Sequence, residues 1–381
     1  MPSSPYGLSP EQEEFRKVVA AFADEVVAPA ADEFNAEGRF PLEIVQQMGE
    51  IGLFGIPFEE RHGGMGGDYL TLCLAIEELG RVDQSVGITL EAGVGLGAAP
   101  IAEFGTEEQK ERWLPELARG EKLGGFGLTE PGGGTDVFGA TRTRAVLDGD
   151  EWVIDGGKQF ITNAGTEITS LVTVTAMTGP AEMTAIIVPT DTPGFSVAPP
   201  YRKVGWHASD TRELSFEGVR VPVSNTLGER GAGFRQFLKT LDDGRIAISA
   251  LAVGLIQGCI DECVRYAGER EAFGRPIGAN QAVAFKIADL EVAAQTARQM
   301  TYYACWRKQQ GLPYKREASI AKLYSSEQAV TAARQATQIF GGMGFTTETR
   351  VGRFYQDCKI LEIGEGTSEV QRLLIARELG V

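Results

Sequence analysis

The chain has 381 residues, 43% hydrophobic and 23% charged, which is enough for two or three packed units around a large core. A formal charge of −16 argues against nucleic acid or an anionic membrane surface as the main partner, while helix ends and a few arginines can still hold a phosphate. Five cysteines, odd in number and irregularly spaced, fit a reducing cytoplasm, and two distant histidines without HExxH or CxxC company give no basis for a metal site.

In chain order, the opening MPSSPYGLSPEQEEF lacks a basic region followed by an apolar stretch, so no signal peptide is expected. Ser9, Pro10 and Gln12 form a capping-box start with proline in the first turn. Phe15, Val18, Val19, Phe22 and Val26 then recur at helical spacing as far as Pro29. LEIVQQMGEIG, YLTLCLAIEELGRV and EEQKERWLPELARG continue that period, with the glycine-rich stretch 63–68 joining two of them. A helical N-terminal domain over 1–124 is predicted.

From about 126 to 225 the pattern becomes β-rich: EWVIDGGKQFI, SLVTVTAM, TAIIVPTD, FSVAPP and LSFEGVRVP. Asp155-Gly156-Gly157 and Glu217-Gly218 have hairpin character, and a small antiparallel barrel-like domain over 125–240 is predicted. From 241 the helical period returns through Ile246, Ala250, Val253 and Ile260, and long helices joined by short turns predict a four-helix bundle over 241–381. The most apolar stretch, IAISALAVGLIQGCI, is broken by glycines and reads as a buried helix, with no run approaching the ~20 residues of a membrane span. The fold class is α+β, mainly α.

Several stretches can carry chemistry. FGLTEPGGGTD (126–136) offers three consecutive glycines whose N–H groups can approach a ligand, without the lysine of a P-loop or a GxGxxG between strand and helix. IGEGTSEVQR (363–372) sets Glu365 between two glycines just before a helix. Either that acid is incidental to a turn, or it is a carboxylate held out for close approach.

Together with KQFITNAG (158–165), REAFGRPIGANQAVAFKIADL (270–290) and QIFGGMGF (338–345), these blocks resemble the signatures of the acyl-CoA dehydrogenase family, in the family's order. The resemblance implies FAD as cofactor and α,β-dehydrogenation of an acyl-CoA to the trans-2-enoyl-CoA, with Glu365 removing the α-proton while a hydride leaves the β-carbon for flavin N5. By match, Phe126, Leu128, Thr129, Thr135, Phe160 and Thr162 would contact flavin, Thr135 also touching substrate. Arg270 would reach the FAD pyrophosphate of a neighbouring subunit, and Phe273, Gln281, Gln338, Gly341 and Gly342 would make further flavin contacts, implying a homo-oligomer, commonly a dimer-of-dimers tetramer. Thr367 and Glu369 follow where the family touches flavin, although glutamine is frequent at the latter position. Asp242 and Arg245 would lie beside the pantetheine arm, and Leu90, Val94, Gly364 and Gly366 beside the acyl group. Gly244 occupies the place where some relatives, isovaleryl-CoA dehydrogenase among them, carry the base, so this chain has one base, at the commoner place.

The resemblance further implies an electron-transferring flavoprotein as acceptor, with an acyl-CoA oxidase or a reductase running in reverse as alternatives within the same architecture. A non-catalytic helical scaffold is the alternative of a different class. Neither nucleic acid nor membrane is expected as partner, and the cytoplasm is the expected compartment. Gly93, Val94, Gly95 and Gly364, small or apolar where relatives are bulkier or polar, suggest a pocket with extra depth or one shaped for a branched or functionalised chain. Glu91, in the same run, could face the pocket or pair at the surface, with the surface expected, and no arginine stands where glutaryl-CoA dehydrogenases hold a distal carboxylate.

Overall fold

The structure, a computed structural model, describes residues 7–381. The signal-peptide reading rests partly on residues 1–6, which lie outside the described residues. Helix α1 (Pro10–Phe22) starts at the capping box: the Gln12 N–H donates to Ser9 Oγ (3.2 Å) and the Ser9 N–H donates to Gln12 Oε1 (3.0 Å). The helical path does not stop at Pro29, as its spacing suggested. A π-helical turn (Ala23–Val27), closed by the Ala28 N–H on the Ala23 carbonyl, hands it to α2 (Ala28–Glu37), with Pro29 directly after the widened turn. Then follow α3 (Leu42–Glu50), α4 (Tyr69–Val82) and α5 (Gln84–Glu91), the last two capped by the Asp68 and Asp83 carboxylates. A second π-helical segment (Ala92–Ala98) leads into α6 (Ala99–Phe104), and α7 (Glu107–Ala118) closes the helical region.

The middle region is one curled sheet. Its strands are β1 (Leu123–Gly127), then, after the short α8 (Val137–Ala140), β2 (Arg144–Asp148), β3 (Glu151–Thr162), β4 (Thr169–Gly179), β5 (Glu182–Pro189), β6 (Phe195–Val197) and β7 (Thr211–Pro222). They pair in the order β1-β4-β2-β3-β7-β6, with β5 on β4. Two features differ from the sequence expectation. The sheet is not purely antiparallel, since β1 runs parallel to β4 and Arg144 pairs with Met177 in parallel register. Asp155-Gly156-Gly157 and Glu217-Gly218 are not hairpin turns either. They face each other inside β3 and β7 across a register shift, where the Gly218 N–H donates to Asp155 Oδ1 at 2.7 Å. An extra residue and a glycine make a bulge as readily as a reversal.

The C-terminal region begins with α9 (Gly233–Glu269), followed by the small hairpin β8 (Glu271–Ala272) and β9 (Arg275–Pro276). After it come α10 (Gln281–Gln309), α11 (Lys315–Phe340), α12 (Arg350–Asp357) and α13 (Ser368–Leu379). Contrary to the expectation of no span-length run, Gln84–Phe104 and Gly233–Glu269 are each long and apolar enough to cross a bilayer, and 83% of each apolar window is buried inside the protein. A helix apolar on every side is what a core position demands.

Packing of α9 on α4 depends on small residues. A Cβ at Gly254 would stand 2.3 Å from the Glu77 carbonyl oxygen and 2.9 Å from the Arg81 nitrogen, both backbone atoms. Overpacking of this kind typically costs about 1–3 kcal/mol, with no flexible side-chain end to yield. Gly254→Ala is therefore expected to lower the thermal midpoint by several degrees, despite alanine's better helix propensity, and calorimetry or thermal-shift melting checks it.

Candidate active site

Glu365 sits in the turn between Glu362 and α13, with φ of +52°, a left-handed conformation uncommon for a residue with a Cβ. Gly366 follows at +97°, a value that favours glycine. The turn is held from behind. Lys322, fully buried on α11, donates to the Gly366 carbonyl at 2.8 Å, while Gln371 Nε2 donates to the same oxygen at 2.9 Å and to the Glu365 carbonyl at 3.3 Å. Thr367 caps α13 by accepting the Val370 N–H at 3.3 Å. The Glu365 N–H has no acceptor among the described residues, so one turn presents both a carboxyl and a free donor.

Around the carboxyl, three elements converge. From α9, Gly244 leaves the space it occupies, since a Cβ there would fall 1.8 Å from Glu365 Oε2. Arg245, one residue on, is buried and pairs with Asp242, and its charge faces Glu365 as well. Burial lowers the guanidinium's pKa, against Asp242 and Glu365, and raises that of Asp242 against Arg245. This turn of α9 is anchored by Tyr314, which donates to Asp243 Oδ1 (2.5 Å), and Tyr69, which donates to the Asp243 carbonyl (2.7 Å). From α11 comes Lys322, its pKa pushed down to about 8 by burial, with the Glu365 charge opposing.

From α5 comes Glu91, and here the surface expectation is overturned. Glu91 is 0% exposed, and its carboxyl lies within hydrogen-bond reach of Glu365. All four oxygens of the pair are buried, and no N–H or hydroxyl donor among the described residues serves them. Burial pushes the Glu365 carboxyl up to about 7, with the Glu91 hydrogen bond, Arg245 and Lys322 opposing. Burial and then the Glu365 charge push Glu91 well above the carboxylate range.

The expected depth at Gly93 and Gly95 is also corrected. Phe54 and Leu123 fill the space beside Gly93, and Glu91 fills that beside Gly95. Leu90 and Val94 are buried with them. Gly364 differs: a Cβ there would make only ordinary contact, with the Ile360 carbonyl at 3.5 Å, so neither packing nor backbone demands glycine.

The residues matched to flavin form two groups. On the sheet side, Phe126 is buried and stacks on Phe237 of α9 (centroids 4.0 Å apart), and Leu128 is buried beside it. Thr129 and Thr162 are half-buried and Thr135 exposed. Phe160, at φ +60° on a β3 bulge, is 57% exposed and rests against Tyr201. At the far end of the bundle, Phe273 is 100% exposed at the tip of the β8–β9 hairpin, also with positive φ. Arg270, Gln281, Gln338, Gly341 and Gly342 are exposed around it, where Tyr266 stacks on Phe340 (centroids 4.1 Å apart). Glu369 is exposed on α13 while Thr367 is half-buried. Hydroxyls beside an exposed aromatic ring suit a flavin ring, and an arginine without an ion pair among the described residues suits a pyrophosphate, so the donor set fits FAD.

Glu91, Lys322 and Gln371 were not assigned a role in the site from sequence. A lone acid in the apolar run VGITLEAGVGLGAAPI was the available signal for Glu91. For Lys322 it was placement on the alanine and serine face shared by Ala318, Ser325 and Ala329.

Comparison with known proteins places this arrangement. Models of the N-terminal, middle and C-terminal domains of acyl-CoA dehydrogenases match residues 9–121, 125–219 and 231–380. The "Probable acyl-CoA dehydrogenase YngJ" of Bacillus subtilis is 49% identical over 98% of this chain and 99% of its own. The short-chain specific acyl-CoA dehydrogenase of Clostridium acetobutylicum is 45% identical over 98% and 99%. Butyryl-CoA dehydrogenase from Megasphaera elsdenii superimposes with a TM-score of 0.95 at 40% identity, covering 99% of this chain and 100% of that one. A chain from a study of the electron transferring flavoprotein of Acidaminococcus fermentans gives 0.96 at 41% identity, covering 98% and 99%. The chain thus belongs to the acyl-CoA dehydrogenase family, whose members are FAD-dependent oxidoreductases acting on the CH–CH group of acyl-CoA thioesters.

Proposed function

We propose that the protein oxidises a short-chain acyl-CoA to the trans-2-enoyl-CoA, with Glu365 as the base that takes the α-proton. The observation that carries this reading is the Glu365 turn, which offers one thioester both a buried carboxyl and an unengaged backbone N–H. The α-C–H is a weak acid, so its removal requires stabilisation of the charge that develops on the thioester oxygen. The Glu365 N–H is suited to that oxygen, an interaction of the oxyanion-hole kind, in which one donor is worth about 3–4 kcal/mol. Burial raises the basicity of the carboxyl and narrows the gap to the carbon acid. Arg245 and Lys322 keep the ionised form accessible. Bound FAD supplies the acceptor for the hydrogen lost from the β-carbon. Phe126, Leu128, Thr129, Thr135, Phe160, Thr162 and Thr367 would hold it from the chain that contributes Glu365. Arg270, Phe273, Gln281, Gln338, Gly341 and Gly342 would hold it from a second copy, an assembly that the exposed Phe273 favours.

Short acyl chains are favoured because the Glu91 carboxyl stands against the base and Phe54 fills the space beside Gly93. The short-chain names among the relatives and the butyryl-CoA dehydrogenase likeness point the same way. The absence of a side chain at Gly364 leaves room for branching near the base. A turnover series with a dye acceptor over butyryl-, isovaleryl-, glutaryl-, octanoyl- and palmitoyl-CoA tests this. Highest kcat/KM on butyryl- or isovaleryl-CoA is expected, and a preference for palmitoyl- or glutaryl-CoA would refute the short-chain assignment. An electron-transferring flavoprotein is the proposed acceptor, and rapid oxygen consumption without it would point to an oxidase instead.

A further inference from the structure

We propose that Glu91 is a positioning residue for the base: its carboxyl, kept uncharged, donates a hydrogen bond to Glu365 and so holds that side chain ionised and in place. This rests on the reading of Glu365 as the base.

Two buried carboxyls in contact, with no other donor, cannot both be ionised without a large electrostatic and desolvation cost, and neither can stay dry and unpaired. One proton between them removes both penalties, because the protonated partner donates and the ionised one accepts. The surroundings decide which is which. The cations facing the pair, Arg245 from α9 and Lys322 from α11, bear on Glu365. Glu91 has no cation acting on it and is shaped by burial and by the Glu365 charge. The remaining groups do not serve Glu91: the Tyr69 hydroxyl on α4 is engaged with the Asp243 carbonyl, and the Asp243 carboxylate is engaged by Tyr314 and Lys308. The charge therefore belongs on Glu365 and the proton on Glu91.

The backbone is also cut to fit both groups. A Cβ at Gly95 would stand 3.2 Å from Glu91 Oε1, and one at Gly244 would overlap Glu365 Oε2. Each carboxyl is thus seated against a glycine, one from the π-helical segment after α5 and one from α9. A hydrogen bond to an ionised acceptor favours that form, so removing the donor makes Glu365 harder to ionise.

The test compares Glu91→Gln, which keeps an N–H donor of the same shape, with Glu91→Leu, which keeps the bulk and removes the donor. In the pH profile of kcat/KM for butyryl-CoA, Glu91→Leu is expected to move the acid limb up by about one pH unit, the scale of a hydrogen bond to a charged group. Glu91→Gln should leave the limb at its wild-type position. An unmoved limb in Glu91→Leu, or equal shifts in both variants, overturns the proposal. Infrared spectroscopy of the resting holoenzyme gives a readout that does not depend on turnover and stands even if Glu91→Leu fails to fold. In the wild-type-minus-Glu91→Gln difference spectrum, where the buried Asp357 carboxyl, itself raised by burial, cancels, one carbonyl-stretch band of a protonated carboxyl should remain. A difference spectrum without that band overturns it. Failure of the underlying reading shows separately, as near-normal turnover in Glu365→Gln.

Discussion

Glu365→Gln is expected to fold, to retain yellow flavin and to lose at least about 10²-fold in kcat, because a positioned base typically contributes about 10²–10⁴-fold and the amide cannot accept the α-proton. Glutamine preserves the shape of the side chain and leaves the backbone N–H in place, so substrate binding should change far less than turnover. Stopped-flow reduction of the bound flavin by butyryl-CoA is the direct measurement, and near-normal reduction would remove Glu365 from the role. The same variant should be more stable relative to wild type at high pH. A carboxyl whose folded pKa is raised contributes stability that is fully present below its unfolded value, near 4.5, and lost as pH rises through about 7. Glutamine does not titrate, so the melting-temperature difference, variant minus wild type, should grow between those limits and level off above them. A difference that is flat or falls with pH would show that Glu365 is not held at a raised pKa.

Gly244→Ala is expected to separate stability from activity. The position lies inside α9, where alanine is favoured over glycine by roughly 0.5–1 kcal/mol. The added methyl would, however, occupy the place of Glu365 Oε2, at 1.8 Å from it. That atom is the free end of a flexible side chain, so the carboxyl moves rather than the helix. Displacing a reacting group by about 1 Å can cost on the order of 10²-fold. An unchanged or higher melting temperature with kcat lowered by about that factor is the expected pair of results, and full activity would mean that the carboxylate works from a different position.

Much of the architecture was legible along the chain because its signals are local. The capping box at Ser9, the helical period of YLTLCLAIEELGRV, the alternation through the middle region and the glycine-flanked Glu365 each depend on residues within one or two turns of one another. The breaks were less readable. Pro29 reads as a helix end but falls in a first turn, and Asp155-Gly156-Gly157 reads as a reversal but is a bulge, since either use satisfies the same local chemistry. The long apolar run in Gly233–Glu269 does not by itself distinguish a core helix from a span, because what surrounds it is supplied by α4, α10 and α11.

The amino-acid sequence by itself determined the family blocks, the order of helical, β and helical regions, and the single candidate base. Tertiary structure alone decided what that base meets. Glu91 and Glu365 are separated by most of the chain, and only the packing of α5, α9 and α11 brings one carboxyl against the other and sets Arg245 and Lys322 beside it. It also decided that Gly93 and Gly95 open no depth, since Phe54 arrives from elsewhere beside Gly93 and the Glu91 carboxyl, one turn back, is seated against Gly95. The physical reason is the same in both cases. Conformational preference is a property of neighbours in sequence, whereas burial, and the charge state it imposes, is a property of neighbours in space.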